Sequence, residues 1–140
     1  MAAFNGDSVE IIQPFLASYS MNEMTAEATR VDVDADSLIH IARPNDSHRR
    51  LYPISMGRYG PNAGVPRILE TYRRLGLKQS FFMPGWVMET YPETVEAILK
   101  DGHEIGLHGY LHEDPTEMSD AEQIYWFERT LDVHKRASAQ

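Results

Sequence analysis

The chain has 140 residues, of which 42% are hydrophobic and 24% are charged, and its formal net charge is −8. This acidic balance argues against a nucleic-acid or anionic-membrane partner, because both are held mainly by clustered lysine and arginine side chains. There is no cysteine, so disulfide bonds and thiolate ligands are excluded, and any bound metal must be held by nitrogen and oxygen.

The first part of the chain, residues 1–28, carries no recognisable motif, and we expect it to form a loosely docked N-terminal arm. It also lacks the basic region followed by an apolar region that marks a secretion signal. Elsewhere, no run approaches the ~20 apolar residues of a membrane span. We therefore expect a cytoplasmic protein with its domain in residues 29–140.

Valine and aspartate alternate from Val31 to Asp36, which is the periodicity of a strand with one apolar and one acidic face. Like charges along one exposed face repel each other, so three carboxylates in this pattern need an explanation. The segment is either the functional end of a strand, or an acidic turn or edge strand. The following residues, 37–63, contain three prolines and two glycines and are predicted to form a long functional loop or lid. Near its end, Arg58 and Tyr59 are candidate substrate contacts, with a plain surface turn as the alternative.

From residue 64 onward, helical and strand patterns alternate. The predicted elements are a helix over 65–75, a strand over 77–83, a helix over 91–99, a short strand around Ile105 and Leu107, and a helix from Ser119 to about Lys135. Strands that alternate with helices indicate right-handed βαβ units on a parallel sheet, which is an α/β fold. Ligands of such sheets collect at the C-terminal ends of the strands.

Two histidines, His108 and His112, follow the last predicted strand. On a continuous helix they would share one face, but Gly106 and Gly109 each weaken a helix by roughly 1 kcal/mol. A short buried strand that opens into a loop is the better interpretation. By itself, a pair of histidines four residues apart is a weak motif.

The topology predicts that Asp34 lies at the same end of the sheet as His108 and His112. Two imidazoles and one carboxylate form a donor set that suits a divalent metal, most simply zinc, and leave coordination positions open for chemistry. Asp32 lies two residues earlier on the same strand face, where a general base that takes a proton from water would be needed.

Five short segments together resemble the polysaccharide deacetylases, also called the NodB-homology or carbohydrate esterase 4 family. These segments are Val31–Asp34, Arg58–Gly60 ahead of Val65, Ser80–Trp86, Gly102–Gly106 and His108–His112. Within that family the sequence is most similar to the intracellular branch of peptidoglycan deacetylase-like and allantoinase or cyclic-imidase-like proteins. The resemblance runs from about residue 29 to residue 135.

The resemblance implies a partial (β/α) barrel of the NodB-homology type, with about three parallel strands alternating with helices. It also implies that Asp32 is the catalytic base and that Asp34, His108 and His112 bind the metal. The matching motifs contain Trp86 and Tyr110, which join Arg58 and Tyr59 as candidate substrate contacts.

The sequence departs from the family pattern after the last helix. Family members carry a later Arg-Pro-x-Gly motif with the arginine that orients the base, a general-acid histidine and the strands that close the barrel. Residues 1–140 contain none of these segments and resemble only the N-terminal half of a member, so we predict a truncated domain. Because an open barrel exposes a strand edge, we also expect self-association or a partner chain to cover it.

The function implied by the resemblance is metal-dependent hydrolysis of a non-peptide amide. Its most typical form is N-deacetylation of an amino sugar in a polysaccharide or peptidoglycan. A small linear or cyclic amide, such as a ureide or an imide, is the alternative substrate. A third hypothesis is that the chain is a catalytically silent, truncated domain that retains metal or ligand binding.

Overall fold

The computed structural model describes residues 30–138, which form a three-stranded parallel sheet with helices. The strands are β1 (Val31–Asp32), β2 (Ser80–Met83) and β3 (Glu104–Leu107), in the spatial order β1-β2-β3. In register, Val31 pairs with Phe81 and Phe81 pairs with Ile105. The predicted α/β class and the parallel sheet are therefore confirmed, while the predicted N-terminal arm lies outside the described residues.

Six α-helices accompany the sheet within residues 30–138. They are α1 (Ser37–Ala42), α2 (Leu51–Tyr59), α3 (Val65–Leu75), α4 (Gly85–Thr90), α5 (Pro92–Lys100) and α6 (Asp120–Ser138). A π-helical turn (Gly60–Gly64) joins α2 to α3, and short 3₁₀ turns lie at Ser47–Arg49 and Pro115–Glu117. None of these helices is both long and apolar enough to cross a membrane.

The segment 37–63 is helical for much of its length, so the prediction of a long irregular loop is wrong. Pro53 lies in the first turn of α2, where a missing backbone N–H costs no helical hydrogen bond. Gly57 lies inside α2 and leaves room for a close approach to the chain after β1. Residues that usually break a helix are therefore tolerated here for positional and packing reasons.

The ends of α3 and α6 follow the sequence signals. Gly76 ends α3 with φ of 67°, the left-handed conformation that glycine adopts without a steric penalty. Ser119 and Glu122 form the predicted capping box, in which the Ser119 N–H donates to Glu122 Oε2 at 2.9 Å. The helix α6 that follows extends to Ser138, a little beyond the predicted end.

One face of the sheet carries the hydrophobic core. Phe81 and Met83 of β2 are fully buried, and they pack with Ile105 of β3 and with apolar side chains from the helices. The helical members of this core are Val65 and Leu69 of α3, Val87 and Met88 of α4, Val95 and Ile98 of α5, and Val133 of α6. Burial of this face orients the sheet, so the alternate residues of each strand point away from the helices.

The other face of the sheet carries Asp32, Phe82 and Gly106, which occupy neighbouring register positions. A Cβ atom on Gly106 would lie 2.7 Å from Phe82 Cε1, so the phenyl ring covers the glycine.

The sheet is open, with β1 and β3 at its edges. At the β3 edge, His134 of α6 donates from Nε2 to the carbonyl of Ile105 at 2.8 Å. That self-association or a partner chain covers an edge stays a prediction.

Candidate metal centre

Asp34, His108 and His112 converge at the C-terminal end of the sheet. Asp34 follows β1 and the two histidines follow β3, and one potential ligand atom from each residue lies within 4.8 Å of the others. His108 Nε2 lies 3.6 Å from Asp34 Oδ1. Neighbouring ligands of a tetrahedral zinc ion are about 3.4 Å apart when the bonds are ~2.1 Å, so this spacing suits a shared ion.

The surroundings of Asp34 also fit a cation. Its Oδ1 atom is buried and has no hydrogen-bond partner among the described residues. A buried carboxylate oxygen without a partner is costly unless a positive charge compensates it. The His108 and His112 rings stand nearly perpendicular, with their centroids 4.4 Å apart, so both present nitrogen atoms to the same region. The donor set and the orphaned oxygen together suit a divalent metal.

Asp32 lies on the open face of the sheet. Val33, the next residue, is 4% exposed and belongs to the core, so Asp32 and Asp34 flank a residue that points to the opposite face. The Asp32 side chain is 34% exposed, and its Oδ1 atom lies 3.5 Å from Arg30 Nε. The structure thus leaves the Asp32 carboxylate accessible to water on the face where a base is expected.

The chain after β1, residues 34–37, is called the acid turn here, and Ala35 in it has φ of 51°. Asp36, whose side chain is 1% exposed, accepts hydrogen bonds from Tyr91 Oη at 2.5 Å and Arg58 Nε at 3.3 Å. A Cβ atom on Gly57 would lie 2.5 Å from the carbonyl oxygen of Ala35. Burial, together with the hydrogen bond to Asp36, raises the pKa of Tyr91 to about 12, so this phenol stays protonated as a donor.

The segment 108–113 is called the histidine loop here. His112 has φ of 73° and Gly109 has φ of 70°, both left-handed. The Glu113 carboxylate accepts the backbone N–H groups of Tyr110 and Leu111, each at 2.8 Å. Because the Tyr110 N–H donates to Glu113, this conformation does not offer it to a substrate oxygen.

The other candidate substrate contacts have varied surroundings. Arg58 is engaged with Asp36, and Tyr59, which is 54% exposed, accepts a hydrogen bond from Arg67. The half-buried ring of Trp86 packs against His40 at a centroid distance of 4.7 Å.

Tyr110 is 7% exposed and packs among helices. Its hydroxyl donates to Glu89 Oε2 and accepts from Arg129 Nη2, each at 2.8 Å. The structure therefore places the Tyr110 side chain in the core packing.

Two other histidines have structural surroundings. His103 is 6% exposed, and its Nδ1 atom accepts the backbone N–H of Gln79 at 3.1 Å. Burial is the main cause that lowers the pKa of His103, so this ring is neutral in the folded protein at neutral pH. His134 donates to the Ile105 carbonyl, as described above.

Sequence reasoning missed four residues that shape the site: Asp36, Gly57, Tyr91 and Glu113. Asp36 was visible in the acidic segment, and Glu113 directly follows the second histidine, so both carried a local signal. Tyr91 lies 55 positions from Asp36, and no sequence pattern links the two. Gly57 resembled a loop glycine because its packing partner comes from another part of the chain.

Comparison with known proteins gives consistent matches. The polysaccharide deacetylase family model matches residues 59–140. The peptidoglycan deacetylase of Helicobacter pylori is 39% identical over 66 residues, which are 47% of this chain and 22% of that protein. The peptidoglycan deacetylase-like protein FGM2 of Gibberella zeae is 38% identical over 96 residues, which are 66% of this chain and 28% of that protein.

The fold is shared as well. A crystal structure from Mycobacterium smegmatis, assigned to the polysaccharide deacetylases, matches with a TM-score of 0.76 and 31% identity, covering 81% of this chain and 39% of that one. The chain spans less than a third of the two curated relatives. The family model covers more than half of this chain, a range that contains His108 and His112, and the predicted resemblance to this family is confirmed. This chain belongs to the polysaccharide deacetylase family, also known as the NodB-homology or carbohydrate esterase 4 family.

Proposed function

We propose that this chain carries the metal-binding part of a hydrolase that removes the N-acetyl group from an amino sugar in a polysaccharide or peptidoglycan. The observation that carries this proposal is the convergence of Asp34, His108 and His112 at one end of the sheet. The relative from Helicobacter pylori is a peptidoglycan deacetylase, which supports the substrate class.

The proposed ligands are His108 and His112 through imidazole nitrogen and Asp34 through a carboxylate oxygen. Zinc is the expected ion, because two imidazoles and one carboxylate are a donor set that catalytic zinc sites use while keeping a position open. When bound, such an ion supplies Lewis-acid polarisation of the amide carbonyl and lowers the pKa of water at the site. All three ligands are only partly buried, so a substrate can approach them.

Asp32 is the proposed general base. Its carboxylate would take the proton from the attacking water, which needs an acceptor on the same face of the sheet as Asp34. Arg30 Nε lies 3.5 Å from Asp32 Oδ1 and can orient the carboxylate through a charge-assisted contact.

The metal assignment is tested by measuring zinc stoichiometry and affinity on the purified 140-residue chain. Wild type is expected to bind one zinc ion, and His108→Ala is expected to lose most of that affinity because one of three protein ligands is removed. The matched control is His48→Ala, which removes an exposed imidazole in a 3₁₀ turn. Equal stoichiometry in wild type and His108→Ala would refute the ligand assignment.

The substrate class is tested separately from metal binding. Acetate release from N-acetylglucosamine oligomers is compared with ring opening of small cyclic imides, using zinc-loaded chain. Acetate release that is lost in Asp32→Asn supports the proposal, whereas turnover of imides alone would contradict the substrate class. Tight zinc binding without any turnover would favour the silent-domain alternative.

A further inference from the structure

We propose that Glu113 is a positioning residue whose carboxylate holds the histidine loop in the conformation that lets both imidazoles reach one metal ion. The inference rests on the proposed metal site, and it concerns how this chain builds that site. Glu113 directly follows His112 in the sequence.

Both oxygens of the Glu113 carboxylate are engaged by the backbone. Oε2 accepts the N–H of Tyr110 and Oε1 accepts the N–H of Leu111, each at 2.8 Å. Hydrogen bonds to an ionised carboxylate are shorter and stronger than those between neutral groups. Because both donors lie between the two histidines, the carboxylate ties down the segment that sets the spacing of the imidazoles. Glu113 is not among the described residues whose ligand atoms converge, so it acts as a support for the site rather than as a ligand.

The conformation of His112 requires such a support. Its φ of 73° is left-handed, which is uncommon for a residue other than glycine. Backbone conformations of this kind persist at functional sites only where the surrounding structure holds them. The hydrogen bond from the Leu111 N–H to Glu113 Oε1 spans this strained position, because it joins the residues before and after His112. Loss of the carboxylate would therefore let His112 relax and carry its ring away from His108.

Gly109 shows that the loop is shaped around the Glu113 carboxylate. A Cβ atom on Gly109 would lie 2.8 Å from Glu113 Oε2, so the glycine leaves the space that the carboxylate occupies. Its φ of 70° also turns the chain so that the next two N–H groups point inward. The glycine and the carboxylate thus form one structural unit.

The two halves of the histidine loop have different anchors. The carbonyl groups of Gly109 and Tyr110 accept the N–H groups of Gly85 and Trp86, at 2.9 and 2.8 Å, which fastens the first half to the start of α4. Glu113 also contacts the first half, at the Tyr110 N–H, but in the second half, Leu111 and His112, its hydrogen bond with the Leu111 N–H is the one that holds the backbone among the described residues. Removal of Glu113 should therefore disturb His112 more than His108 and leave the sheet intact.

The test compares zinc affinity in wild type, Glu113→Ala and Glu117→Ala, measured on the full chain by competition titration. Glu117 lies in the adjacent 3₁₀ turn and is exposed, so its removal makes the same change in net charge nearby. We expect Glu113→Ala to weaken zinc binding about 10- to 100-fold, as is usual for residues that orient ligands. Glu117→Ala should stay within about twofold of wild type, since an exposed charge is screened.

A metal-free measurement accompanies the titration. Amide hydrogen exchange at Tyr110 and Leu111 should be slow in the zinc-free wild type and fast in Glu113→Ala, while exchange in β2 is unchanged. If Glu113→Ala does not fold, Glu113→Gln replaces it, because its single acceptor oxygen can keep only one of the two contacts. That variant is expected to expose one of the two amides and to bind zinc more weakly than wild type.

The outcomes separate this inference from the proposed function. If the Glu113 variants bind zinc as tightly as wild type does, and amide exchange at Tyr110 and Leu111 is unchanged, only the positioning role of Glu113 is overturned. Wild type that binds no zinc would overturn the proposed function and this inference with it. A loss of affinity in Glu117→Ala equal to that in Glu113→Ala would show that charge, and not positioning, governs the effect.

Discussion

The acid turn and the histidine loop deliver ligands to the same place but are held in different ways. Each contains a residue other than glycine with positive φ, namely Ala35 at 51° and His112 at 73°. The acid turn is held from outside, by Gly57 and Arg58 of α2 and by Tyr91 next to α5. The histidine loop is fastened to the start of α4 through the Gly109 and Tyr110 carbonyls, and it is also held from within, by the Glu113 carboxylate.

This difference determines how each half of the site is linked to the stability of the domain. Substitutions that break the contacts of the acid turn should destabilise the whole fold, because these contacts pack helices against the end of β1. Changes inside the histidine loop should mainly alter ligand geometry. Stability and zinc affinity are therefore expected to separate at the two regions, and the following substitutions test that separation.

The largest effect on stability is expected at Gly57. A methyl group there would meet the carbonyl oxygen of Ala35 at 2.5 Å and the Asp36 Cα atom at 2.7 Å, and neither backbone atom can move without shifting the turn. Gly57→Ala should lower the free energy of unfolding by about 3 kcal/mol, measured by urea denaturation.

The control for Gly57 is Gly60→Ala. Gly60 has helical φ and ψ, and a Cβ atom on it would have no neighbour within 4 Å. We expect it to change the free energy of unfolding by less than about 0.5 kcal/mol. Equal stability of the two variants would show that close packing of α2 does not hold the acid turn.

A smaller loss is expected when the hydroxyl of Tyr91 is removed. Asp36 is buried and accepts that hydroxyl at 2.5 Å, so Tyr91→Phe leaves a buried carboxylate one hydrogen bond short. The cost should be about 2 kcal/mol in the free energy of unfolding. Tyr52→Phe is the control, since Tyr52 is 77% exposed, and it should leave stability unchanged. If both variants unfold at the same urea concentration, Tyr91 does not support the turn.

The same contrast explains which parts of the fold the sequence could predict. Helices α3, α5 and α6 have apolar periodicity and local end signals. The strand β2 is a short apolar run and β3 has Ile105 and Leu107 at strand spacing, so all five elements were predicted from neighbouring residues. Helices α1 and α2 were missed because Gly57 and the prolines of that segment indicate a loop unless their packing is known. The short helix α4 was missed because Pro84 and Gly85, at its start, are a pair that indicates a turn from sequence alone.

For the site, chain-local motifs were sufficient to propose the ligands but not the groups that hold them. Asp34, His108 and His112 were proposed from their positions at strand ends, and the structure brings them within 4.8 Å. The contact between Tyr91 and Asp36 joins residues 55 apart and exists only after the helices pack. Glu113 lies next to a proposed ligand, but its role depends on φ at His112, which composition does not reveal.

Two glycines with left-handed φ, one inside the histidine loop and one outside it, allow a further test. Gly109 and Gly102 have φ of 70° and 75°, so alanine at either position should cost roughly 1 kcal/mol of stability for backbone strain alone. A methyl group on Gly109 also meets Glu113 Oε2 at 2.8 Å, whereas on Gly102 it meets the flexible end of Lys78 at 3.2 Å. Both variants should therefore be destabilised alike, but only Gly109→Ala should bind zinc more weakly in a titration. Equal zinc affinities of the two variants would mean that the conformation of the histidine loop does not depend on the close packing of Gly109 against Glu113.

The smallest effect is expected away from both regions, at His103. Burial is the largest cause that lowers the pKa of His103, and the nearby charge of Lys78 acts in the same direction. The folded protein therefore binds this proton less readily than the unfolded chain, whose histidine pKa is about 6.5. The contribution to stability is complete above that value and is lost as the pH falls through it towards the folded-state pKa.

This dependence can be isolated by comparing unfolding at pH 7 and pH 5 in wild type and in His103→Gln, which cannot take up the proton. Wild type should lose more stability than the variant over this interval, because protonation places a charge at a buried position between Tyr72 and Phe81, and the nearby Asp101 carboxylate offsets that cost only in part. His48→Gln, at an exposed position, should keep the wild-type dependence. If His103→Gln loses as much stability as wild type, the acid sensitivity of the fold originates at another group, and the core histidine is not its source.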